Sequence, residues 1–385
     1  MKHPGPAAGS LPPVSEPVSA QDYAAVDSLV DWDLAIRAAT RLARPGPVVS
    51  RDEARSVVEQ LRSFARESTG HVAATTGLQA VPGEGVVVVD RAGWTKVNVQ
   101  AFRTVLAPAV AQGLRRRGRP TSAAALAVGR RVTGAEVGTL LSFLASRVLG
   151  QFDVFGEPVP SAGTGPGRGP GSGRLLLVAP NIVQVERELE VVPDDFRLWV
   201  CLHEETHRVQ FASTPWLRDH LLARSRGLTA DLLGDPGAFV DRLSSGLRQL
   251  PDVLRGGDGA GLVELVQTPQ QRAVLAEITA VMSLLEGHAD VVMDEVGPRV
   301  IPTVATIRER FTRRRAGQGS VDKLLRRLLG LDAKMRQYRD GAVFVRGVVA
   351  KVGMDGFNAV WTSPQTLPLP GEISDPAAWV RRVHG

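Results

Sequence analysis

The chain has 385 residues, 43% of them hydrophobic and 22% charged, which is enough apolar material for a buried core and excludes a disordered chain. Its 46 basic residues are nearly matched by 40 acidic ones, and the densest basic runs, Arg115-Arg116-Arg117-Gly118-Arg119 and Arg313-Arg314-Arg315, lack interleaved aromatic residues that could stack on bases, so no nucleic-acid partner is expected. A single cysteine, Cys201, excludes an internal disulfide; with no signal-peptide pattern at the start and no run of eighteen apolar residues, no membrane partner and a cytoplasmic location are expected.

Residues 1–22, rich in Pro, Gly, Ser and Ala, are predicted to be a disordered tail, and residues 23–385 a single domain. Apolar residues at three- and four-residue spacing predict a helix from Val26 to Ala43, stopped by Arg44-Pro45-Gly46-Pro47. Further helices are predicted from Ser50 to Ser68, Lys96 to Gln112 and Gly134 to Leu149, with Ser50 and Thr133 as N-caps, so the first third reads as a helical layer. The segment 161–173, almost wholly Gly, Pro, Ser, Ala, Thr and Arg, is expected to be a flexible loop. The aliphatic run Leu175 to Val183, broken by Pro180, predicts a strand or two short extended pieces that flank a cleft and pair with an extended peptide. Pro193-Asp194-Asp195 marks a helix start, with helix expected from Asp194 to Ala212. Beyond Pro215 the pattern is again helical, most strongly over Gln270 to Glu295 and Val321 to Tyr338, and the proline-rich tail from Ser363 is expected to lie extended on the surface. The fold class is therefore mainly α with a small β component, α+β in type.

In the centre of the helix after Pro193 stands His203-Glu204-Glu205-Thr206-His207. Two histidines four residues apart on a helix are rotated by about 40 degrees and separated by roughly 6 Å along the axis, so both imidazoles reach one point, as zinc requires. Glu204 leaves the helix beside the first histidine, where it can take a proton from a zinc-activated water and later pass it to a leaving amine. The candidate third ligand is Glu286, with Asp290 four residues on to hold a histidine ligand by its distal nitrogen; His220 is an outside candidate. A metzincin pattern is excluded, because Gln210 and Ser213 stand where it requires glycine and histidine. His288 and Tyr338 are candidate oxyanion donors, each weighed against a packing role, while Cys201 is expected to be packed and Thr206 to hydrogen-bond a preceding carbonyl.

The motif followed by Glu286 and Asp290 resembles the gluzincin arrangement of thermolysin-like peptidases, although 79 residues from His207 to Glu286 argue against a thermolysin domain. Val30-Asp31-Trp32-Asp33, Asp90-Arg91-Ala92-Gly93-Trp94 with Asn98, Pro215-Trp216-Leu217-Arg218 and Glu286-Gly287-His288-Ala289 with Val292-Met293-Asp294 resemble the bacterial zincin-like metallopeptidase family of candidate hydrolases. Some members of that family are labelled as associated with biosynthesis of a deazaflavin coenzyme. The resemblance implies a zincin-like metalloprotease fold with the motif on a central helix, a Zn2+ cofactor, and a peptide or small amide substrate. It leaves open an alternative, a catalytically silent zinc-stabilised scaffold, and does not address the oligomeric state.

Overall fold

The structure, a computed structural model, describes residues 18–80, 85–116, 122–154, 173–233, 268–316 and 331–385. Chain order begins with three helices, α1 (Ala20–Leu29), α2 (Trp32–Leu42) and α3 (Arg51–Thr76). The helix expected over Val26–Ala43 is two helices. Asp31 breaks it by turning its carboxylate back to the Leu34 N–H as the N-cap of α2. Helix α1 starts at a Ser19–Asp22 capping box, inside the predicted tail. Ser50 caps α3 as expected, but α3 continues past Ser68 until Gly77 ends it in the left-handed conformation.

Strand β1 (Val86–Val89) and helices α4 (Arg91–Arg116) and α5 (Ala123–Ala145) follow. Thr133 is not an N-cap: it lies inside α5 and donates its hydroxyl to the Gly129 carbonyl. Then come β2 (Gly150–Asp153), β3 (Arg174–Val178) and α6 (Ala179–Glu188). The predicted loop 161–173 lies outside the described residues except for Gly173. The run Leu175 to Val183 is extended only to Val178, because Pro180 begins a helix in place of a second extended piece.

The sheet order is β1-β3-β2, with β1 parallel and β2 antiparallel to β3. The strand expected to pair with a peptide is thus the central one, hydrogen-bonded on both sides and buried from Leu175 to Val178. Its side chains alternate between two cores. Leu175 and Leu177 pack with α3, α6 and α7 (Pro193–Ser213), whereas Leu176 and Val178 pack with α1, α2, α4 and α5. This is why four consecutive aliphatic residues are needed.

Helix α7 runs through the middle of the molecule and packs on α3, β2, β3 and, most important for the site, the later helix α9 (Pro269–Val300). Helix α8 (Pro215–Leu233) follows α7 directly, and α9 (Pro269–Val300) opens on a Thr268–Gln271 capping box with Pro269 in its first turn. Helix α10 (Val304–Ala316) is tied to the start of α7 by Thr303, whose N–H and hydroxyl both donate to Asp195.

Helix α11 (Leu331–Phe357) packs along α9 and contains a non-helical Gly353. Of the segment predicted helical from Val321 to Tyr338, residues up to 330 lie outside the described residues. The tail is not extended. Its prolines start two 3-10 turns, Pro364–Thr366 and Pro370–Ile373, and a helix, α12 (Pro376–His384), whose Trp379 is fully buried. Arg382 holds this tail by donating to both Glu372 carboxylate oxygens and to the Gln365 and Leu367 carbonyls. Among the described residues no helix is long and apolar enough to cross a membrane.

Candidate metal centre

Helix α7 carries His203 and His207 on one face, and α9 brings Glu286 to meet them. The His203 and His207 rings stand 4.9 Å apart, centroid to centroid, nearly perpendicular. The Glu286 carboxylate bridges them. Its Oε2 is 3.7 Å from His203 Nε2 and its Oε1 is 3.7 Å from His207 Nε2. One ligand atom from each residue can be chosen so that all three lie within 4.8 Å of one another, and this is the group among the described residues able to hold a metal ion. Their side chains are 25%, 13% and 30% exposed, so an ion and a small group beside it can reach them from solvent.

The donor set fits zinc. Two imidazole nitrogens and one carboxylate oxygen at bond lengths of about 2.0–2.2 Å lie about 3.4 Å apart in a tetrahedral site, close to the spacing here, and leave one position open. At 3.7 Å the Glu286 oxygens stand beyond hydrogen-bond distance of both imidazole Nε2 atoms.

Glu204 sits against β2. A Cβ on Gly150 would come within 2.5 Å of Glu204 Cγ, so only glycine at that strand position lets the carboxylate occupy its place. Burial pushes the Glu204 carboxyl up to about 7; the Glu286 carboxylate adds to this and His207 opposes it. Next to Gly150 in β2, Gln151 accepts from Trp94 Nε1 and donates to Asn98 Oδ1.

The remaining motif residues face inward. Glu205 has no exposed surface and accepts from Arg208 and from the Thr69 hydroxyl of α3. Thr206 donates to the Leu202 carbonyl, as expected. Cys201 is buried against the Leu61 carbonyl, and burial, with the Glu205 and Glu204 charges, pushes its thiol up.

Two of the other expected site residues lie elsewhere. His288 is fully buried, stacked on Phe357 with centroids 5.3 Å apart and tilted against Trp361, so it offers a substrate no surface where an oxyanion donor was expected. His220 packs edge-on against Trp216 and is not part of the metal-capable group. Asp290 is exposed on α9. Tyr338 falls in the first part of α11, and its side chain lies outside the described residues.

Gln210 and Gly150 went unnoticed as site residues in the sequence. Gln210, three positions after His207, places its Oε1 3.0 Å from that histidine's Nδ1. The i,i+3 spacing on a helix was the available signal.

A family model for zincin-like metallopeptidases matches residues 30–380. A crystal structure from Chloroflexus aurantiacus, described as that of a candidate hydrolase with a novel fold, is similar to this chain at 30% identity and a TM-score of 0.62, over 92% of this chain and 99% of the other. No curated protein matches. With the family match spanning nearly the whole chain, motif helix and Glu286 included, the protein belongs to the zincin-like metallopeptidases.

Proposed function

We propose that this protein is a zinc-dependent hydrolase, a metallopeptidase that cleaves a peptide or small amide bond, with His203, His207 and Glu286 holding the metal and Glu204 as general base. The observation that carries this reading is the convergence of two histidines and a glutamate from helices remote in sequence on one partly exposed point, with Glu204 near enough to feel the charges of His207 and Glu286. Zinc supplies Lewis acidity, polarising a carbonyl and acidifying water. Glu204 accepts the proton released as water attacks and returns it to the leaving amine. A site that served structure alone has no use for an open position or for an adjacent base.

The substrate's backbone pairs with the outer edge of β2. Among the described residues no strand covers that edge, and its Gly150 adjoins Glu204, which would set an added strand beside the proton acceptor. Asp290 is assigned to steady the metal's ligands from the exposed side of α9.

Elemental analysis of purified protein tests the reading. About one zinc per wild-type chain is expected, lost in His203→Ala and in Glu286→Ala. A Glu204→Gln variant should keep the metal and lose cleavage of a peptide library. Wild type without zinc overturns the metal site; zinc present with no cleavage by wild type moves the protein to a scaffold.

A further inference from the structure

Gln210 lies one turn beyond His207 on α7, and its side chain has no exposed surface. Three polar groups surround its amide. Nε2 is 3.0 Å from the Leu285 carbonyl oxygen and 2.9 Å from His288 Nδ1, both on α9, and Oε1 is 3.0 Å from His207 Nδ1.

The carbonyl decides how these groups are protonated. A peptide oxygen can only accept, so the amide must turn its NH2 to Leu285 and its oxygen to His207. His207 Nδ1 must then carry the hydrogen, which in the neutral ring leaves Nε2 unprotonated, and Nε2 is the atom that faces Glu286. The second amide hydrogen goes to His288 Nδ1, so the hydrogen of His288 is on its own Nε2.

The geometry points to Gln210 as the positioning residue of His207: its buried amide fixes the tautomer that presents Nε2 to a metal, and it is itself locked by Leu285 and His288 of the helix that carries Glu286. This inference rests on the reading of His203, His207 and Glu286 as metal ligands. It also gives His288 a place behind the site as the acceptor that aligns the amide. A ligand histidine is commonly oriented by a carboxylate or a carbonyl; a neutral amide orients it while adding no charge to the site.

Gln210→Met removes all three hydrogen bonds with little change in side-chain length, and Gln210→Glu keeps an acceptor for His207. Zinc affinity is measured by competition with a chromogenic chelator, and the His207 tautomer by 15N NMR of zinc-free wild type. Expected are hydrogen on Nδ1 of His207, zinc binding weakened about 10- to 100-fold in Gln210→Met, and tighter binding in Gln210→Glu than in Gln210→Met. Hydrogen on Nε2 of His207, undiminished affinity in Gln210→Met, or equal weakening in both variants overturns the inference. Should Gln210→Met fail to fold, the wild-type tautomer still decides. Wild type that binds no zinc sinks the metal reading, while the tautomer measurement still reports on Gln210.

Discussion

Glu205 and Arg208 form a buried ion pair inside the motif helix, at 2.5 Å, with Thr69 of α3 as a further donor to the carboxylate. Neither charge reaches solvent, so each depends on the other for compensation. Arg208→Met should therefore cost about 3–5 kcal/mol in denaturant unfolding, by leaving Glu205 charged and unpaired. The double change Glu205→Leu with Arg208→Met should recover most of that loss. Equal destabilisation of the single and double variants would show that packing, and not charge, sets the cost. In the sequence the two histidines and Glu204 were legible because four-residue spacing on a helix has one geometric meaning. Glu205 was not, because whether a helical glutamate points to solvent or into α3 depends on what packs beside it.

The crossing of α9 and α11 brings two glycines together next to Glu286. A Cβ on Gly287 would sit 2.1 Å from the Gly341 carbonyl carbon, and one on Gly341 would sit 1.9 Å from the Ser283 carbonyl oxygen. Both obstacles are backbone and cannot swing aside. Gly341→Ala is expected to force the helices apart at a cost of about 1–3 kcal/mol or more and to lower zinc content by moving Glu286. Gly70→Ala, on the open face of α3 with nothing within 4 Å, is the control and should stabilise by about 0.5–1 kcal/mol through helix propensity. Thermal unfolding and metal analysis of both variants check the pair; a well-tolerated Gly341→Ala would mean the crossing can relax. Element types in strongly periodic segments were legible, α7 and α9 among them. The short strands β1 and β2 were missed because four residues carry too little pattern, and the tail was misjudged because its prolines start turns and a helix when Trp379 has a core to enter.

Across the molecule, α7 links the core under α9 and α11 to the core around β3, and the metal-capable group lies on its α9 side. An ion bound there joins two helices that no short loop connects. Because the unfolded chain has no such site, zinc at about a hundredfold its dissociation constant should raise the unfolding free energy by about 2.7 kcal/mol. The melting temperature is then expected to climb with free zinc, to fall on chelation, and to be insensitive to zinc in Glu286→Ala. A wild-type melting temperature indifferent to both would place any bound metal off the folded state's site.

Local spacing was sufficient for the motif helix, its start at Pro193 and the shared face of His203 and His207, because the 3.6-residue period turns sequence separation directly into position on a helix face. Chain folding over long separations settled the rest. It made β3 the central strand instead of an edge, set Gly150 against Glu204, buried His288 behind the site, and placed Gln210 between two helices. Those outcomes depend on which surfaces exclude water together, and pattern along the chain carries no record of that.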